Sequence, residues 1–224
     1  MASTARSADR ADQMRTAVTI GSPLAQLREG RLVRRLPQLY GGLVLYGASM
    51  ALMIRGGLGL DPWDTFHQGL SRHLPLSFGT VVILVSFAVL LLWIPLRQWP
   101  GIGTISNAIV IGLVVDGALA VLHAPDWLPL RIAFAVAGIV LNAVATAAYV
   151  GARFGPGPRD GLMTGLVRRT GGSLRLVRLS IEASVLLAGW LLGGSVGLAT
   201  LAYAASIGAL TQLLLPYLAV TPRK

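Results

Sequence analysis

Two short stretches hold the residues best suited to chemistry. The first reads Gly-Leu-Gly-Leu-Asp-Pro-Trp-Asp from Gly57 to Asp64, and the second Phe-Gly-Pro-Gly-Pro-Arg-Asp from Phe154 to Asp160. In the first, Asp61 can cap free backbone N–H groups. Pro62 suits the first helical position, where its missing N–H would be unpaired anyway, and Asp64 falls at N3 near the positive end of the helix dipole. Gly157, Pro158 and Asp160 repeat the pattern, so the spacing predicts short helices over Pro62 to His73 and Pro158 to Thr170. Two readings follow. Both helices could lie in the membrane interface with Trp63 as a headgroup-level anchor, or both could be re-entrant half-helices whose starts line a central cavity. On the second reading Asp61, Trp63, Asp64 and Asp160 line a pathway, with Asp64 and Asp160 as pseudo-symmetric carboxylates. These favour protons or cations, because an Asp already occupying the N-terminal N–H groups leaves less attraction for an anion.

Two further acids, Asp116 and Glu182, fall inside apolar runs, in the neutral company of Asn107, Asn142, Thr146 and Gln212. An Asp at a helix centre costs about 2.5–3.5 kcal/mol on insertion scales, so an ionisable residue within a span is a functional candidate by default. The competing reading puts Asp116 near the outer headgroups and pairs Glu182 with Arg178 one turn earlier. His67, His73 and His123 are dispersed and read as polar loop residues rather than metal ligands. There is no H-E-x-x-H, P-loop, G-x-S-x-G or helix-opening G-x-G-x-x-G, and without cysteine there is no thiolate chemistry. No catalytic residue, metal or cofactor is assigned, and the expectation is a protein that is not an enzyme.

The elements that must position these residues are membrane spans. Of 224 residues, 54% are hydrophobic and 12% charged, against about 25% charged in a soluble domain, and mean hydropathy is +0.68. Six windows approach the roughly 20 apolar residues that a bilayer crossing requires: Leu36 to Ile54, Phe78 to Leu96, Ile102 to Leu122, Leu130 to Val150, Val177 to Leu192 and Val196 to Val220. The fifth is weakest, because Arg178 and Glu182 lie within it. Residues 1–35 form a polar, basic lead without a secretory signal. Its stretch from Pro23 to Pro37 is either a short surface helix or a solvated tail.

The formal charge of +10 taken alone would suggest nucleic acid, but on so apolar a chain it records topology. With the N-terminus in the cytoplasm, 16 of the 19 basic residues fall inside, leaving only Arg55, Arg72 and Arg131 outside. Both termini are therefore expected in the cytoplasm and no nucleic-acid partner is expected.

The chain also resembles itself at an offset of 96 residues. Gly42 to Gly112 aligns without a gap on Gly138 to Gly208, with 21 identities in 71 positions. They include Gly59 with Gly155, Pro62 with Pro158, Asp64 with Asp160, Arg72 with Arg168, Gly101 with Gly197 and Thr104 with Thr200. Three crossings per copy is an odd number, so the second copy enters the bilayer upside down. The fold class expected is an all-α polytopic membrane protein of six transmembrane helices in two inverted three-helix repeats, 36–122 and 128–220. A short interfacial or re-entrant helix follows the first span of each repeat.

The motifs Gly-Gly-Leu-Val-Leu-Tyr-Gly at Gly41 to Gly47, Gly-Leu-Gly-Leu-Asp-Pro-Trp-Asp at Gly57 to Asp64 and Pro-Gly-Ile-Gly-Thr at Pro100 to Thr104 resemble the YczE/YyaS/YitT group of bacterial integral membrane proteins, the YczE branch most of all. The resemblance implies a multi-spanning protein of the bacterial inner membrane and brings no catalytic residues or substrate with it. Inverted repeats are frequent in secondary transporters, so the leading expectation is movement of a small solute, ion or lipid. The alternative is an accessory membrane protein that supports another component through a protein partner or as a homo-oligomer.

Overall fold

The computed structural model describes Gln26 and residues 30–220, and within them every regular element is helical. The order is α1 (Leu32–Gly56), α2 (Pro62–His73), α3 (Phe78–Trp93), α4 (Ile102–Val121), α5 (Leu128–Gly151), α6 (Pro158–Thr170), α7 (Leu174–Leu191) and α8 (Leu198–Leu218). Most of the basic lead read over 1–35 lies outside the described residues.

The predicted caps do their work locally. Asp61 accepts the N–H groups of Trp63 and Asp64 at the start of α2, and Ser77 accepts that of Thr80 at the start of α3. At α4 and α8 the hydroxyls of Thr104 and Thr200 accept the N–H groups of Gly101 and Gly197, each at 3.1 Å. α6 opens on Gly157 and Pro158 and closes on Gly171 in the left-handed conformation that glycine tolerates.

The centre of the molecule is the antiparallel pair α1 and α5. Small residues let the two approach closely. A Cβ at Gly42 would stand 2.9 Å from the Tyr149 nitrogen, and one at Gly138 would stand 3.0 Å from the Ser49 oxygen. The apolar core of Leu39, Leu43, Met50, Ile111, Val115 and Phe154 surrounds this crossing. α4 packs on α1 and α8 on α5, while α2 packs on α7 and α6 on α3.

Helices α1, α4, α5 and α8 are long and apolar enough to cross a membrane, and α2 with α3, bent by 115°, makes a fifth if taken as one broken span. That is fewer than the six windows of the sequence. α3 has 16 residues, about 24 Å at 1.5 Å per residue, and stops before Pro95. α7 carries Arg175, Arg178 and Glu182 in its first half.

Adding 96 to the first residue of each of the first four helices gives the first residue of the last four. The contacts follow the same arithmetic. Arg35 Nε donates to the Ala152 carbonyl and its Nη2 to that of Arg153, at 2.9 and 3.0 Å. Arg131 makes the same pair of bonds to Gly56 and Gly57 at the same distances. Arg72 donates to the Gly193 carbonyl and Arg168 to that of Arg97, beyond the ends of α7 and α3.

Candidate functional site

α1 and α5, of 25 and 24 residues, are about 36–38 Å long and antiparallel, so Gly56 and Gly151 lie at opposite ends of the molecule. Yet Arg159, eight residues past Gly151, reaches Asp61, five residues past Gly56. Arg159 Nη1 is 3.7 Å from Asp61 Oδ1, and Nη2 is 3.5 Å from Asp64 Oδ1. Chains leaving opposite ends can meet only by folding back into the interior. The helix starts accordingly lie inside the molecule: Pro62 and Pro158 are buried, and Trp63 is 7% exposed.

A backbone that re-enters the interior must find hydrogen bonds there. The Leu58 carbonyl accepts from Ala199 N at 2.9 Å and that of Phe154 from Gly103 N at 2.8 Å, while Leu60 N donates to the Ser195 carbonyl at 3.2 Å. Gly59 and Gly155 turn these segments with φ of +113° and +106°, where side chains are strained.

Where α2 and α6 meet, a polar cluster forms. Asp61 and Asp64 are 2% and 1% exposed and His67 is 1% exposed. Asp61 Oδ1 accepts the N–H groups of Trp63 and Asp64 at 3.0 and 3.2 Å. His67 Nδ1 lies 3.3 Å from Asp64 Oδ1. The second oxygens of both acids, Asp61 Oδ2 and Asp64 Oδ2, are buried without a hydrogen-bond partner. The Arg159 guanidinium stands 5.1 Å over the Trp63 ring, held by π-electrons on one side and carboxylates on the other. Asp160, next along α6, accepts the Tyr149 hydroxyl at 2.7 Å. A second polar chain links three helices: the Tyr203 hydroxyl donates to Asn142 Oδ1, and Asn142 Nδ2 donates to Ser49 Oγ, each at 3.0 Å. Beside the cluster lies a cleft of about 220 Å³ lined by Pro62, Arg178, Glu182, Tyr203, Ala204, Ile207 and Gly208.

The six candidates therefore separate. Asp61, Trp63 and Asp64 come together around Arg159, and Asp160 joins them through its place on α6. Glu182 faces the cleft while paired to Arg178 at 2.8 Å. Asp116 stands apart: it accepts Gly79 N at 2.7 Å and the Ser77 hydroxyl at 2.5 Å, so it caps the start of α3.

Sequence reasoning missed Arg159, His67, Tyr149 and Tyr203. His67 in particular is buried rather than a loop residue. Its signal was the i, i+3 spacing from Asp64, which puts both on one helical face. Arg159 stood at the position equivalent to Trp63. Among the described residues no group of acids and histidines is placed to hold a metal ion.

A chain of apolar helices long enough to cross a bilayer, folded around a buried polar junction, is an integral membrane protein. More particularly, residues 33–216 match a family of unknown function, DUF6198, and the chain belongs to it. It is 34% identical to the uncharacterized membrane protein YczE of Bacillus subtilis over 83% of this chain and 87% of that one. It is 41% identical to an uncharacterized protein of Haemophilus influenzae over 80% and 83%. The likeness to YyaS of Bacillus subtilis is 27% over 78% and 89%. The YczE-like motifs of the sequence are thus matched by whole-chain similarity. No solved structure matches the chain.

Proposed function

We propose that this protein is a multi-pass transporter of the bacterial plasma membrane, with both termini cytoplasmic, that moves a small solute or ion by alternating access. Its six crossings form two inverted repeats, 36–122 and 128–220. The carrying observation is the meeting of α2 and α6, one from each repeat, through Arg159 with Asp61 and Asp64 beside a cleft. Half-helices that start in the interior and face each other across a polar site are the construction broken-helix transporters use.

The offset of 96 in helix boundaries and arginine contacts supports the repeat, and 16 of 19 basic residues on one side support the orientation. The two ends of the molecule also differ, as they must in one state of an alternating pair. Around Gly57 to Gly59 and Gly193 to Leu198 there is an open groove of about 530 Å³. At the equivalent place on the other face the Gln26 side chain accepts the Ile102 N–H and closes over Gly101. No chemical step is part of the reading.

The chain has no cysteine, so single cysteines at Ala204 or Gly208 report on the cleft without further engineering. Impermeant maleimides should label them from one face in wild type, with accessibility shifting toward the other in Arg159→Gln. Labelling from neither face of intact and inverted vesicles would refute the pathway. A stable partner on gentle solubilisation, with no flux in proteoliposomes, would favour the accessory role instead.

A further inference from the structure

The α2–α6 junction contains two acids and one guanidinium, and its charges do not cancel. Asp61 and Asp64 are both buried, each has one oxygen on Arg159, and each has one oxygen with no hydrogen-bond partner. Their Oδ1 atoms face the same guanidinium at 3.7 and 3.5 Å, which holds the two carboxyl groups side by side. Two buried carboxylates that share one guanidinium leave a negative charge over and disfavour each other's ionisation, and an unpaired buried charge is expensive.

The surrounding groups do not supply the missing positive charge. Asp160 on α6 is answered by the Tyr149 hydroxyl of α5. Arg178 and Glu182, one turn apart on α7, pair with each other at the edge of the cleft. α1 contributes Tyr46, packed edge-on against Tyr149, and α8 contributes Tyr203, which donates to Asn142 and lines the cleft. α3 offers only the edge of Phe78 to His67, 6.0 Å between centroids, and α4 brings the neutral Asn107 near Gly157. His67 faces Asp64 through Nδ1 at 3.3 Å. It is 1% exposed and its ring neighbours are Trp63, Phe66 and Phe78, an apolar surround that disfavours the charged imidazolium. A neutral ring adds no charge. A metal ion would need a shell of oxygens, and the cleft is lined by Pro62 rather than by the two acidic side chains. A proton needs no such room.

We propose that the Asp61–Asp64 pair is a single-proton site, one proton shared between its two carboxyl groups, and that this proton sets how firmly Arg159 grips α2. Uptake from solvent neutralises the excess negative charge and weakens the hold of α2 on α6; release restores it. The coupling to movement rests on the alternating-access reading, whereas the proton site does not.

The test is infrared spectroscopy of the purified full chain above about pH 6, where exposed aspartates, with a pKa near 3.9, are ionised. Wild type should show the carbonyl stretch of a protonated carboxylic acid, which Asp61→Asn and Asp64→Asn each abolish and Asp160→Asn leaves in place. Arg159→Gln, which keeps both acids and removes the cation, should strengthen the band, and it serves if the aspartate variants do not fold. Absence of the band in wild type, its survival in both aspartate variants, or no change in Arg159→Gln would overturn the proposal, as would its displacement by sodium or an organic ammonium at constant pH. A band with cleft labelling indifferent to pH would leave the proton site standing and refute the coupling to movement. Labelling from both faces without a band would refute the proton site and leave the alternating-access reading standing.

Discussion

Arg159→Met tests the junction energetically. The substitution keeps an unbranched helix former of similar reach and removes the guanidinium from between Asp61 and Asp64. Breaking a buried pair by deleting one partner costs about 3–5 kcal/mol. The Arg159 side chain is 22% exposed and its closest contacts are 3.5 and 3.7 Å rather than tight bonds, so the low end, about 3 kcal/mol, applies. For a chain of this length 1 kcal/mol corresponds to about 2–4 °C, which predicts a fall of roughly 6–12 °C in detergent melting. Adding Asp64→Asn removes one of the acids left uncompensated. The double variant should therefore recover part of the loss, with a coupling of at least about 1 kcal/mol. The loss should also shrink as pH falls, because a native pair that binds a proton the unfolded chain has shed is stabilised by acid. Melting within 2 °C (about 1 kcal/mol) of wild type, or strict additivity in the double variant, would refute the claim that Arg159 compensates these two acids.

Gly59→Ala should cost about 2–4 kcal/mol by melting. It puts a side chain at φ +113° and a Cβ 2.6 Å from the Gly197 nitrogen, combining strain with a disturbed crossing. Gly155→Ala should lose less, since its nearest contact is 3.0 Å, and Gly117→Ala, with nothing within 4 Å, should be neutral or slightly stabilising. Gly161→Ala would overlap the Trp93 ring, 1.9 Å from the new Cβ, and break the bond from Trp93 Nε1 to the Pro158 carbonyl; poor folding yield on size-exclusion chromatography is expected. Asp116→Asn should lower melting by about 1 kcal/mol as a weakened cap and leave the labelling of cysteine at Ala204 unchanged, whereas an effect on labelling would return Asp116 to the pathway.

The local rules of helix initiation made much of this fold legible. Pro62 and Pro158 open helices where the cap pattern put them, and α2 and α6 end at His73 and Thr170 as read. What the sequence could not decide was depth. Asp61-Pro62-Trp63-Asp64 caps a helix equally well at a surface or in an interior, and the choice is made by α1 and α5, whose antiparallel crossing sends the two following segments back toward each other. Arg159 was invisible for a related reason. It was counted among cytoplasmic arginines, because loop charge says which side a segment lies on and nothing about whether it folds inward. Arg35 and Arg131 lay just upstream of the gapless match, although their spacing is also 96 and their bonds to the ends of α5 and α1 are alike.

On the repeat reading, scaffold and chemistry divide cleanly between shared and unshared positions. Shared positions build the crossing: Gly59 and Gly155, Thr104 and Thr200, Arg72 and Arg168 all meet equivalent partners. The site depends on positions that differ. Asp61 faces its place in the repeat across Gly157, and Trp63 across Arg159. Two identical halves would bring together either two tryptophans with four acids and no cation, or two arginines with fewer acids. Only a chain whose halves can vary independently can set one guanidinium against one aromatic ring and two carboxylates of the opposite half, leaving a single negative charge over. The asymmetry that defines the site is thus one that a single fused chain can hold and a symmetric dimer of half-chains cannot. Exchanging the residues, Trp63→Arg with Arg159→Trp, should consequently fail to restore the junction, since the guanidinium would then sit on the same helix as both acids and no longer tie α2 to α6.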